Sequence, residues 1–90
     1  MEKHLINNLL QDAIALQRSN KYKEAEIKYI RILEKHPNIF EANFLLGFLY
    51  KQTRKYKSAE IYLKKATILN RNHPESRYNL GFVFEKLNFG

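Results

Sequence analysis

His4, His36 and His73 are the side chains of this sequence best suited to moving a proton near neutral pH, and Ser19, Ser58 and Ser76 are its serine hydroxyls. Nucleophilic catalysis would need one such hydroxyl beside a histidine that a third group orients. A metal centre would need several ligands at helical or loop spacing. The histidines are far apart, and no pair has metal-ligand spacing. They fall at helix starts or in turns, where capping or exposure is the ordinary role. No glycine-rich stretch exists to cradle a phosphate. Glu24, Glu26 and Glu34 stand among lysines and arginines, as solvated ion-pair partners do. The serines lie in or beside helix starts, where hydroxyls cap backbone N–H groups. With no cysteine, disulfides, thiolate metal sites and thiol nucleophiles are excluded together. An enzyme made from this segment alone is not expected, and no metal or cofactor is called for.

The elements that hold these residues are helices. The chain has 90 residues, enough for one small domain. Its 44% apolar and 28% charged residues suit a folded chain and are too apolar for a disordered one. Three glycines and two prolines are few for a turn-rich β chain. Apolar residues recur at helical spacing: Ala25, Tyr29, Ile32 and Leu33; Phe44, Leu45, Phe48 and Leu49; Ala59, Leu63, Ala66 and Leu69. Polar breaks separate them at "RSNK" 18–21, "HPN" 36–38, "QTRK" 52–55 and "NRNHP" 70–74. Pro37 and Pro74 can stop a helix or begin one. The expectation is an all-α chain of five helices, at about 3–18, 22–35, 39–52, 56–69 and 73–87.

The chain also repeats itself. "KYKEAEI" at 21–27 returns as "KYKSAEI" at 55–61, and "LGF" at 46–48 returns at 80–82. Asn38 matches Asn72 and Glu41 matches Glu75 at the same offset of 34. One register holds small residues, Ala13, Gly47 and Gly81; another holds large ones, Leu16, Tyr50 and Phe84. A small residue on one helix lets the next approach, and large residues fill the space around the contact. One helix pair cannot bury its apolar face alone, so stacking completes the core.

This pattern resembles the tetratricopeptide repeat, with its W-x2-L-G-x2-Y, A-x3-F and P signature. The second copy reads Asn43-x2-Leu46-Gly47-x2-Tyr50, then Ala59-x3-Leu63, then Arg71. The first reads Leu9-x2-Asp12-Ala13-x2-Leu16, then Ala25-x3-Tyr29, then Pro37. The third begins Arg77-x2-Leu80-Gly81-x2-Phe84. Tryptophan is absent, and its positions hold Leu9, Asn43 and Arg77. The resemblance implies a right-handed α-solenoid of antiparallel helix pairs. The chain is then one domain, 1–90, with repeats at 6–39 and 40–73 and a partial one at 74–90. Because "FEKLNFG" closes on the turn after a first helix, the chain is expected to be the amino-terminal part of a longer array or multidomain protein. The alternative is a small complete protein whose last helix is a cap. Leu80, Phe84 and Leu87 on helix 73–87 then present apolar surface, so a homodimer through that helix is expected.

The resemblance further implies a role in binding proteins or peptides in a concave groove lined by the first helix of each pair. The inward faces carry Asn7, Leu10, Ile14 and Gln17; Glu41, Phe44, Phe48 and Lys51; and Glu75, Tyr78, Phe82 and Glu85, with Asn79 beside them. The expected peptide-binding residues are Leu10, Ile14, Glu41, Phe44, Phe48, Lys51, Glu75, Tyr78, Asn79 and Phe82. The competing reading packs these apolar side chains between neighbouring helices as core. Chaperone-binding members of the family hold a terminal carboxylate with Lys, Asn and Arg. The matching positions here are Leu10, Ile14, Leu45, Glu75 and Asn79, of which only Asn79 would serve. Arrays joined to glycosyltransferases carry rows of asparagine; one Asn79 opposite Leu45 and Gln11 makes no row.

The net charge is +7. Lys21, Lys23, Lys28, Arg31 and Lys35, then Arg54, Lys55, Lys57, Lys64 and Lys65, belong to the second helices, on the convex face. A solvated surface is the default reading, with nucleic acid or another polyanion the rival. Aromatic residues are not interleaved with these lysines, which disfavours RNA. No apolar run is long enough for a secretory core or a membrane span, so a cytoplasmic chain is expected. Two further readings are a substrate-recruiting arm of a larger enzyme, such as a glycosyltransferase or sulfotransferase, and polyanion binding by the convex face.

Overall fold

In the computed structural model, which describes residues 2–89, the described chain is helical with no strand. The elements are α1 Glu2–Arg18, α2 Tyr22–Lys35, α3 Phe40–Gln52, α4 Tyr56–Leu69 and α5 Pro74–Phe89. The five expected helices are all present, with ends within two residues of the expected ones. Turns of three or four residues make neighbouring helices antiparallel. The molecule measures 44 × 27 × 19 Å, the elongated outline of stacked helical hairpins.

Helices α1 and α3 end in the same way. Asn20 and Arg54 both adopt φ 63°. The Asn20 and Lys21 N–H groups donate to the Gln17 and Leu16 carbonyls, at 3.0 and 2.8 Å. The Arg54 and Lys55 N–H groups donate to Lys51 and Tyr50, at 3.1 and 2.8 Å. This is the Schellman arrangement, which occupies carbonyls that a helix end leaves free. Asparagine tolerates the left-handed region; arginine there costs on the order of 1 kcal/mol.

Helix starts are capped unequally. The residues preceding α2, α3 and α4 are Lys21, Ile39 and Lys55, and none makes a side-chain cap. At α5 the capping atom belongs to His73. Its Nδ1 accepts the Ser76 N–H at 3.2 Å and lies 2.8 Å from the Ser76 hydroxyl. Pro74 occupies the first helical position, where its missing N–H costs nothing. Ser76 is fully buried under this cap.

The core is built on the small/large alternation. Ala13, Ala25, Ala42, Ala59 and Ala66 are fully buried, as are Tyr29, Leu46, Leu63 and Val83. A Cβ on Gly47 would lie 2.7 Å from Leu63 Cγ and 3.1 Å from the Leu63 backbone nitrogen. Gly47 is therefore a point where α3 and α4 approach too closely for a side chain. Gly81 holds the same register in α5, yet nothing lies within 4 Å of its Cβ position. Gly81→Ala should then stabilise the chain by about 0.5–1 kcal/mol through helix propensity alone, measured by urea unfolding.

The open side of α5 keeps apolar surface, with Phe89 86% exposed and Leu80 and Phe84 lining a shallow hollow. Leu80 and Leu87 are half-buried and pack against the core. Phe84 is 36% exposed, with the Lys64 ammonium 5.6 Å from its ring.

Two signature departures become hinge locks. Asn43 Nδ2 donates to the carbonyls of Pro37 at 3.0 Å and Ile39 at 2.9 Å, fastening the α2–α3 turn. Arg77, one repeat later, donates to the Arg71 carbonyl across the α4–α5 turn. Both side chains reach six residues back, so different chemistry serves one register.

Candidate functional site

Helices α1, α3 and α5 lie side by side, and their shared face carries a row of rings. Phe40, Phe44 and Phe48 step by one turn along α3. Their centroids are 6.0 and 6.3 Å apart, with near-parallel planes. The His73 ring stands edge-on to Phe40 and Phe44, at 4.9 and 4.8 Å. One imidazole thus caps α5 and braces the aromatic row.

Toward the ends of α1 and α3 the face becomes polar. Tyr29 OH donates to Gln17 Oε1 at 2.6 Å, and Gln17 Nε2 donates to Gln52 Oε1 at 2.7 Å. This chain of bonds ties α2, α1 and α3 together from the buried side. Burial holds the Tyr29 hydroxyl well above its ordinary pKa, offset in part by Arg18. Lys51 Nζ donates to Asn79 Oδ1 at 2.6 Å and stands 4.4 Å from the Phe82 ring centroid. It also lies 5.6 Å from the centroids of Phe48 and Tyr78, so one ammonium links α3 to α5 through three rings.

The structure sorts the expected binding residues into two groups. Ile14, Phe44, Phe48, Lys51 and Phe82 are half-buried, while Glu41, Glu75 and Tyr78 are exposed, Tyr78 at 71%. These eight present side chain to solvent. Leu10 and Asn79 do not. Leu10 is 9% exposed and belongs to the core cluster. Asn79 is 6% exposed. Its amide is engaged at both ends, by Lys51 Nζ and by the Glu75 carbonyl at 2.7 Å. In this structure Leu10 packs in the core and Asn79 is enclosed between α5 and α3. Phe40 and His73 join the row without having been expected. The four-residue step from Phe40 to Phe44 was readable; the arrival of His73 beside it was not.

The face has two hollows that share Phe48 and Gln52. One, about 260 Å³, lies over Ile14, Gln17 and Leu45. The other, about 570 Å³, lies between the end of α3 and α5. No cluster of three or more potential metal ligands occurs among the described residues. None of the described helices is long and apolar enough to cross a membrane.

Stacked antiparallel helix pairs with an open aromatic face define a helical-repeat solenoid. The tetratricopeptide-repeat family model matches residues 40–73, so the chain contains a repeat of that kind there, and its five helices have the order of such an array. It is similar to part of a mutant O-GlcNAc transferase from Thermobaculum terrenum, at 32% identity over 93% of this chain with a TM-score of 0.88. The match spans 16% of that protein's chain. No curated protein sequence matches. Tetratricopeptide repeats are in general non-catalytic protein-interaction modules.

Proposed function

We propose that this chain, as one domain of repeats 6–39, 40–73 and partial 74–90, is a cytoplasmic scaffold segment that binds a peptide or helix non-catalytically. The observation that carries this reading is the row Phe44–Phe48–Phe82, half-exposed on a face that the hairpin contacts leave open. A partner would bury apolar side chains against these rings, while Glu41, Lys51 and Glu75 set its register. Ring burial supplies the affinity, and the charges supply orientation.

The test begins with binders selected from a random peptide library on the wild-type chain. Phe44→Ala combined with Phe48→Ala should weaken the selected peptides by about tenfold or more. Helical circular dichroism should stay near the wild-type value. Unchanged affinity would remove the groove from the account, and loss of helicity would make the two rings core residues instead.

The likeness to part of an O-GlcNAc transferase favours a second reading, a substrate-recruiting arm of a larger enzyme. Reading the gene beyond the codon for Gly90 separates the two, since a transferase domain there selects the arm.

A further inference from the structure

The larger hollow, at the end of α3, combines two kinds of wall. Phe48, Tyr56 and Phe82 supply ring surface, with the Tyr56 and Phe82 centroids 6.4 Å apart. Lys51, Arg54 and Lys86 supply cations. Lys51 and Lys86 both hold their ammonium groups over Phe82, at 4.4 and 5.5 Å from its centroid. The charges are thereby stationed at the wall. No acidic side chain lines the hollow. Among the described residues, none of the three cations forms an ion pair.

Arg54 is the informative member. It sits at the left-handed position closing α3, where the preceding repeat has Asn20 at the same φ of 63°. Capping needs only its backbone N–H, and its exposed side chain belongs to no core cluster. A conformationally unfavourable arginine therefore stands where a guanidinium faces an unneutralised, ring-lined hollow.

The geometry points to an acidic peptide segment as the occupant of this end of the groove. One or two carboxylates lie among Lys51, Arg54 and Lys86, and an adjacent apolar or aromatic side chain rests on Phe48 and Phe82. This rests on the groove reading and adds the partner's chemistry and direction. Glu41 and Glu75 are exposed toward the starts of α3 and α5; toward their ends Lys51, Arg54 and Lys86 line the hollow and the exposed Glu85 does not, so cations outnumber carboxylates at that end. A peptide with its acidic residues toward the end of α3 matches that gradient. A polynucleotide does not, because its phosphates would continue past the carboxylates.

Three fluorescein-labelled octapeptides share a central phenylalanine and are flanked by glutamate, serine or lysine; an oligouridylate is the fourth probe. Fluorescence anisotropy should show the glutamate probe binding about tenfold tighter than the serine probe, with the advantage shrinking as salt rises. Arg54→Gly and Lys86→Ala should each weaken the glutamate probe about fivefold and leave the serine probe unchanged. Arg54→Gly should at the same time raise Tm, because glycine relieves the backbone. Equal affinity for the glutamate and serine probes would overturn the acidic occupant and leave the groove standing. Absence of binding by either would remove both readings. An equal loss of the serine probe in Arg54→Gly would make Arg54 structural. Oligouridylate binding that the same variants abolish would replace the peptide with nucleic acid.

Discussion

Leu63→Ala should lower the unfolding free energy by about 2–5 kcal/mol, and in that background Gly47→Ala should cease to be harmful. Leu63 is fully buried, and its Cγ is the atom a Cβ on Gly47 would strike. In the wild-type chain Gly47→Ala forces that contact, at a cost of about 1–3 kcal/mol for overpacking. The alanine's better helix propensity returns at most about 1 kcal/mol, so the net effect is destabilising. Removing the Leu63 isopropyl group takes away the contacts at 2.7 and 2.9 Å and leaves the backbone nitrogen at 3.1 Å, a contact that a few tenths of an ångström relieve. The second substitution then keeps its propensity gain and partly fills the cavity. Urea unfolding of the four proteins in this cycle measures the coupling. Additivity within about 0.5 kcal/mol would show that Gly47 is not the contact point. Gly81→Ala supplies the internal control, with the same substitution in the same register but open space around it.

Stability should fall steeply above about pH 10, because two buried phenols must ionise when the chain unfolds. Tyr29 is fully buried, and burial raises its pKa. Tyr50 is raised first by burial, then by donating its hydroxyl to Glu26 Oε2 at 2.6 Å, and further by the charges of Glu26 and Tyr62. Both phenols stay neutral in the folded chain at pH values where an unfolded tyrosine has lost its proton. Their contribution is complete below the unfolded value of about 10 and is lost as pH rises through the folded values. Each can remove up to about 1.4 kcal/mol per pH unit in that window. Lysines titrate there too, so the decisive comparison is between variants. Tyr29→Phe and Tyr50→Phe should each flatten the fall in unfolding free energy between about pH 9 and about pH 11. If the wild-type and Phe curves stay parallel, the phenols are not held neutral.

The groove shows why some residues were legible and others were not. Phe44, Phe48 and Phe82 could be placed on an open face because helical spacing and the 34-residue register are both periodic. Leu10 sat in the same pattern and went to the core instead, since how closely α1 meets its neighbours is not written in the period. Asn43 and Arg77 looked like losses of a signature residue. Their side chains instead fasten the turns behind them, a role that only the position of the preceding carbonyl reveals.

What the sequence determined by itself is the solenoid: five helices, their ends, and the small residues where helices converge. These follow from local propensity and a repeated pattern, and no distant contact is needed to read them. Only the tertiary structure decided which polar groups meet. Lys51 and Lys86 are 35 residues apart, one off the repeat, so the 34-residue register does not align them. The gap between α3 and α5 brings them together over one phenylalanine, with Arg54 added by a turn. The repeat therefore specifies the framework, and departures from the repeat make its two ends chemically different.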